Sequence, residues 1–176
     1  VVNVNADVVD DTGTGTININ GGNLNVQGDV AGTVTVDYLN VGNNGTGQYD
    51  QGGIQTVNVN NAFNVGVGGG NNGTYNITGG TLNQTNENFI VGGSGGTGFF
   101  NQSGGQVNTN LANAGNGNWT LIGVNGGSNG TLNLSGRTFD ADNSTLLGIG
   151  QRGGTGELNQ NTSNGASTLN ARELWV

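Results

Sequence analysis

Few residues of this 176-residue chain carry side chains able to do chemistry, and their spacing decides what that chemistry would be. Asp10 stands beside Asp11, and Asp140 is followed by Asp142 and Asn143. Hard carboxylate and amide oxygens grouped in this way are the ligands that suit Ca²⁺. The Ca²⁺-binding nonapeptide GGxGxD is missing, however: GGSGGTGFF at 92–100 has the glycines without the Asp. Asp10, Asp11, Asp140 and Asp142 are therefore kept as cation candidates, with solvated turn aspartate as the better reading. Glycoside hydrolysis needs two carboxyl groups about 5–10 Å apart. Asp50 and Asp140 each stand alone where the matching phrases of the chain carry Asn, so each reads as an isosteric replacement. A lyase acting on a uronate would need a base, and the three cations Arg137, Arg152 and Arg172 are scattered along the chain. Arg137 replaces the second Gly of a recurring GG and is a candidate contact residue.

What is absent narrows the function further. There is no Cys, His, Lys, Met or Pro. Thiolate nucleophiles, disulfides, imidazole bases and the usual zinc and haem ligands are thereby removed. No catalysis and no cofactor are expected. Eleven acidic residues against three Arg give a net charge of −8, which argues against nucleic acid and against anionic membrane surfaces. With 38 Gly, roughly one Asn in five residues, 31% hydrophobic and 8% charged residues, the composition fits either low-complexity disorder or a repeat protein. Residue order decides between them.

One phrase recurs six times: GTGTININGG at 13–22, GTGQYDQGG at 45–53, GTYNITGG at 73–80, GTGFFNQSGG at 96–105, GTLNLSG at 130–136 and GTGELNQN at 154–161. Its central polar residues are Asn18, Asp50, Asn76, Asn101, Asn133 and Asn159, spaced by 32, 26, 25, 32 and 26. A second phrase follows, anchored on Asn25, Asn58, Asn83, Asn108, Asp140 and Asn170. A third is apolar and closed by Gly: YLNVG at 38–42, FNVG at 63–66, FIVGG at 89–93, LIG at 121–123 and LLG at 146–148. Repetition at a fixed period of this size signals stacked supersecondary units.

Within each phrase apolar and polar residues alternate with period two, the signature of a strand. Gly interrupts every few residues and no run of good helix formers occurs, which argues against helices. Three short strands per turn of 25–32 residues predict an all-β chain folded as a parallel β-helix, or β-solenoid, of about six to seven rungs over 1–176. Apolar residues, including most aromatics, face inward, while Asn and Thr form outward ladders. Gln51, Gln102 and Gln160 occupy positions held by Ile or Leu in other rungs. They are either buried amides in need of partners or turn residues just past the strand.

VNVN at 2–5 matches VNVN at 57–60, so the chain is expected to open on a second-face strand, with Val8 and Val9 on the third; Leu174, Trp175 and Val176 close it on the third face. Neither end carries a capping helix or a charged capping repeat, and the chain does not begin with Met. These features read as a fragment or processed piece of a longer repeat protein, or as a subunit whose ends neighbours cover. The step from second to third phrase lengthens to 17 residues for Asn25–Gly42 and 15 for Asn108–Gly123, marking insertions at Gln27 to Asp37 and Thr109 to Asn118. Asn161 to Ser167 departs at another corner. The second face presents a flat Thr-x-Asn ladder, a candidate surface for ice or a crystalline polysaccharide, broken in sequence at Gln106 and Asn23. Candidate contact residues are Val2 and Val4 at one end, Leu174, Trp175 and Val176 at the other, and Trp119 and Arg137 between them.

GTYNITGGTLN, GTGFFNQSGGQVN and GTLNLSG, each followed by an apolar segment and Gly, resemble the repeats of large bacterial secreted and surface proteins with β-solenoid passengers, including autotransporter-like adhesins and PEP-CTERM-type repeat proteins. The resemblance implies a right-handed three-sided coil, export and an extracellular or cell-surface location. The expected function is a non-catalytic structural or adhesive rod. Its partners would be itself, stacked end to end through open strand edges, or neighbouring repeats of the same chain, with a glycan as the alternative partner. Neither nucleic-acid binding nor membrane insertion is expected.

Overall fold

The computed structural model describes residues 2–4, 8–9, 16–26, 32–109, 118–162 and 165–176. They form nineteen parallel strands and no helix, coiled into a β-solenoid with three faces. On the first face stack β1 (Val2–Val4), the later part of β3 (Thr16–Val26), the later part of β5 (Tyr38–Gln51), β8 (Asn72–Ile77), β11 (Thr97–Gln102), β14 (Asn129–Leu134) and β17 (Thr155–Gln160). The second face holds β2 (Val8–Val9), β4 (Thr33–Val36), β6 (Thr56–Val59), β9 (Thr81–Gln84), β12 (Gln106–Asn108), β15 (Arg137–Ala141) and β18 (Ser167–Ala171). The third holds the opening residues of β3 and β5, then β7 (Phe63–Val67), β10 (Phe89–Gly93), β13 (Thr120–Val124), β16 (Leu147–Gln151) and β19 (Leu174–Trp175). The coil makes about five turns, slightly fewer than the six to seven read from sequence, and its outermost strands are short: β1 has three residues, β2 two and β19 two.

Alternation drives the coil. In β8 and β14 the buried positions are Gly73, Tyr75 and Ile77, and Gly130, Leu132 and Leu134, while the residues between them keep solvent contact. Every second side chain enters one shared core, so each turn buries apolar surface only because its neighbours do. The Gly that closes the third phrase has a geometric cause. Gly92 has φ +71, and a Cβ there would lie 2.1 Å from the carbonyl oxygen of Asn129 as the chain swings from third to first face. The left-handed conformation and the close backbone approach both require glycine.

Aromatic rings stack along the coil axis, as strands in register require. Tyr49, Tyr75 and Phe100 lie nearly parallel at centroid separations of 4.9 and 5.2 Å. Phe63 and Phe89 stack at 4.4 Å and meet the first column edge-on. Phe139 closes the cluster from the second face, edge to face with Phe89 and Phe100. Gln51 and Gln102 are buried and bond to corner carbonyls, so they are both inward-facing and turn-partnered. Gln51 Nε2 donates to Thr81 O at 2.9 Å and to Gln55 O at 3.2 Å, and Gln102 Nε2 donates to Gly105 O and Thr138 O at 3.0 Å each. Gln160, by contrast, is exposed and donates to Ser167 O at 2.8 Å.

The register of the first turns differs from the sequence reading. Asn18 pairs with Asn40 on the third face, and Asn25 pairs with Asp50 on the first. β1 lies against Leu24–Val26 on the first face, where the second was expected, and β2 pairs with Val34 and Thr35 on the second, where the third was expected. GTVTV is no insertion: β4 within it pairs with β6 as an ordinary second-face strand. Both TININ and NLNV alternate in the same way, so only the partner strand decides which face each joins. The other insertion stands, between β12 and β13, with 110–117 outside the described residues. β19 closes on the third face as expected.

Candidate functional site

Three surfaces carry polar chemistry or exposed apolar groups. On the first face the anchors form a one-directional amide ladder. Asn76 Nδ2 donates to Asp50 Oδ1 at 2.7 Å, Asn101 to Asn76 at 2.8 Å, Asn133 to Asn101 at 2.7 Å, and Asn159 to Asn133 at 3.0 Å. Each Asn gives its amide N–H toward the preceding turn and offers its oxygen to the next. Asp50 suits the base of this ladder because it only accepts; Gln48 Nε2 reaches both its oxygens at 2.9 and 3.0 Å.

On the second face a shorter ladder runs from Asn58 through Asn83 to Asn108, at 3.0 and 2.8 Å. Asp140 follows Asn108 in register but carries no N–H to give. Asn108 Oδ1 instead accepts from Gln106 Nε2 at 2.9 Å, and Asp140 Oδ1 accepts from the backbone N–H of Asp142 at 3.0 Å. Asp50 and Asp140 thus lie on different faces, Asp50 within its amide ladder and Asp140 bonded to the backbone N–H of Asp142. Asp10 and Asp11 lie outside the described residues. Among the described residues no three His, Cys, Asp or Glu side chains converge as metal ligands. Thr33, Thr56, Thr81, Gln106, Thr138 and Thr168 form the outer Thr column, so Gln106 interrupts it whereas Asn23 belongs to the first face.

The outer column of the third face changes character along the rod. It reads Asn18, Asn40 and Asn64, bonded at 3.0 and 2.9 Å, and then Ile90, Leu121, Gly148 and Trp175. Leu121, Val124 and Leu146 bury one another in a cluster separate from the core, with Ile90 and Trp119 packed against it. Beside them opens a hollow of about 240 Å³ lined by Trp119, Leu121, Val124, Leu146, Gln151, Arg152 and Trp175. Gly148 sits in the column between Leu121 and Trp175 and adds no side chain to fill the space. The Arg152 guanidinium lies 5.1 Å from the centroid of the Trp119 ring, in cation–π contact. Arg152 has φ +55 and continues a left-handed corner column of Gly68, Ser94 and Asn125. Glu173 Oε1 accepts from Trp175 Nε1 at 2.7 Å.

The base of the long insertion is pinned by a ring of three fully buried hydroxyls. Thr109, Thr120 and Ser144 are 2.8, 2.8 and 3.0 Å apart, so each can donate to one neighbour and accept from the other. Thr120 holds the register position of Phe89 in the turn before, a swap of ring for hydroxyl that the spacing of the repeat does not announce.

Of the sequence-selected contact residues, Trp119 and Trp175 meet at the hollow. Leu174, Trp175 and Val176 are exposed at 51, 50 and 93% on the last turn. Val2 and Val4 lie in β1 at the opposite end of the coil, where they pair with Leu24 and Val26. Arg137 is elsewhere, exposed at the corner between first and second faces, where it lines an open groove of about 630 Å³ together with Gly, Thr and Ser residues and Gln106. Its φ of +65 occupies a position that is Gly80 and Gly105 in the preceding turns. Sequence reasoning missed Arg152, Leu146 and Gln151. Their only signal was an apolar LL and a GQR beside the third phrase. Comparison with protein-family models, curated proteins and solved structures finds no match for this chain.

Proposed function

We propose that this protein is a non-catalytic structural or adhesive module of an extracellular, cell-surface protein, a stiff rod extended by adding coil upon coil. The observation that carries this reading is the one-directional amide ladder from Asp50 to Asn159, running beside unbroken parallel backbone pairing. Both repeat at every turn, and both can accept another turn. Asn159 is exposed in the last first-face strand, and β17, β18 and β19 present strand edges there. Such edges template further strands, whether these come from the continuing chain or from a second copy. The resemblance to β-solenoid passengers supports the cell-surface assignment.

Sedimentation over a range of concentrations tests the reading, with a Leu158→Lys variant that places a charge on the last first-face strand. Wild-type particles that elongate with concentration, together with a shorter variant, support it. Wild type and variant that sediment identically as monomers at every concentration refute it.

A further inference from the structure

We propose that the hollow on the outer third face binds an acidic sugar residue of a polysaccharide. Four observations lead there, none of which depends on how the rod extends. First, both Trp residues of the chain, Trp119 and Trp175, line this one hollow. Indole faces carry negative quadrupole charge and attract the weakly positive C–H groups on the face of a pyranose ring. Second, the space of about 240 Å³ equals that of about eight waters at about 30 Å³ each. One substituted six-membered ring fills it, and a second must lie outside along the face.

Third, Arg152 is one of three cations in a chain with eleven carboxylates, yet it forms no ion pair among the described residues. Its Cζ lies 5.1 Å from the centroid of the Trp119 ring at the hollow, and a guanidinium carries five N–H donors in a planar fork. Such a fork matches a planar carboxylate with two parallel bonds. Fourth, Arg152 holds a left-handed backbone conformation, φ +55, that a glycine would adopt without strain. The fold retains the strain where it delivers a guanidinium to the mouth of an apolar hollow.

These groups together select the ligand class. A bare anion would use Arg152 and leave the indoles and Leu146 unsatisfied. A neutral sugar would use the indoles and leave the guanidinium edges without a charged acceptor. A hexuronate uses both, and its hydroxyls can reach the amide of half-buried Gln151, whose own bond to Ile149 O is long at 3.5 Å. The carboxylate of Glu173 is engaged with the indole N–H of Trp175, which sets the orientation of that ring.

Tryptophan fluorescence reads the site directly, because no other indole contributes. The full chain is titrated with an oligogalacturonate, with a neutral hexose oligomer of the same length, and with acetate. The expected result is a saturable emission change with the oligogalacturonate, at least tenfold weaker binding of the neutral oligomer, and no competition by acetate. Arg152→Gly, which suits the left-handed backbone, is expected to lose at least tenfold in affinity with an unchanged far-UV spectrum. Arg137→Gly removes the same charge elsewhere and is expected to bind as the wild type does. If Arg152→Gly fails to fold, Arg152→Asn serves, since Asn also tolerates that conformation. An absent emission change, equal binding of the neutral oligomer, full competition by acetate, or equal losses in the two Arg variants would each overturn the proposal.

Discussion

The substitution Asn101→Asp places an acceptor where the first-face ladder needs a donor. In the native structure Asn101 gives its amide N–H to Asn76 and accepts from Asn133, at 2.8 and 2.7 Å. The variant keeps the second bond and loses the first, at a net cost of about 1 kcal/mol. Asn76 Oδ1, half-buried between turns, then faces a carboxylate instead of a donor, which adds about 1 kcal/mol more. The expected destabilisation is about 2 kcal/mol, or a fall in melting temperature of about 4–8 °C for a chain of this length. Asp50→Asn is the contrasting variant. Asp50 accepts at the ladder base from both Asn76 and Gln48, and an amide there can still accept from Asn76, so its cost is expected below about 1 kcal/mol. Urea unfolding followed by far-UV circular dichroism measures both, and a common m value shows that the native surface is unchanged. Acid supplies a further check. Once protonated, the introduced carboxyl can donate again, so the gap between the Asn101→Asp variant and wild type should narrow as pH falls through the carboxyl range. Equal costs for the two variants, or a gap independent of pH, would refute the directional ladder.

Glycine positions divide sharply by what surrounds them. A Cβ at Gly98 would lie 2.3 Å from Gly92 N and 2.4 Å from Val65 O, both backbone atoms of adjoining strands, so Gly98→Ala should cost at least about 3 kcal/mol. Gly126 has open space around its Cβ position, and Gly126→Ala should be neutral or stabilise by up to about 1 kcal/mol; thermal melts of the pair decide. Arg137→Gly relieves a left-handed backbone at an exposed site and is expected to raise stability by about 1 kcal/mol in urea titration. In alkali, burial holds the phenols of Tyr49 and Tyr75 far above their ordinary range, and Tyr49 adds a charge effect on Tyr75. Unfolded tyrosines ionise near pH 10 while these two stay protonated. Stability is therefore complete below about pH 10 and falls above it by about 1.4 kcal/mol per pH unit for each ring. Tyr49→Phe should halve that slope, as a chemical-denaturation series from pH 9 to 12 would reveal.

The fold was legible because period-two alternation and a Gly-closed apolar phrase recur along the chain, and these are the features that coil stacking demands. The register of the first turn was not. TININ at 16–20 and NLNV at 23–26 present the same alternation a few residues apart, and the choice of face rests on pairing with β5, a long-range contact that no local pattern contains. GTVTV escaped notice because its outward residue opposite Asn58 is Thr35, so a search anchored on Asn passes over it. Trp119 and Trp175 were singled out separately, one as a contact residue between the ends and the other as an end residue. Their meeting depends on Leu121, Gly148 and Trp175 falling in one outer column, and on Arg152 turning back at a left-handed corner. The hydroxyl ring of Thr109, Thr120 and Ser144 was equally hidden, since its members are 11 and 24 residues apart.

Small-angle X-ray scattering over a concentration series tests the rod most directly, because cross-section and length separate in the same curve. The prediction is a cross-section that stays constant while length grows from about 30 Å in steps of about 30 Å, the length one copy adds at about 4.8 Å per stacked strand. A particle whose length stays fixed at every concentration, or whose cross-section widens as it grows, would contradict extension of the rod coil upon coil.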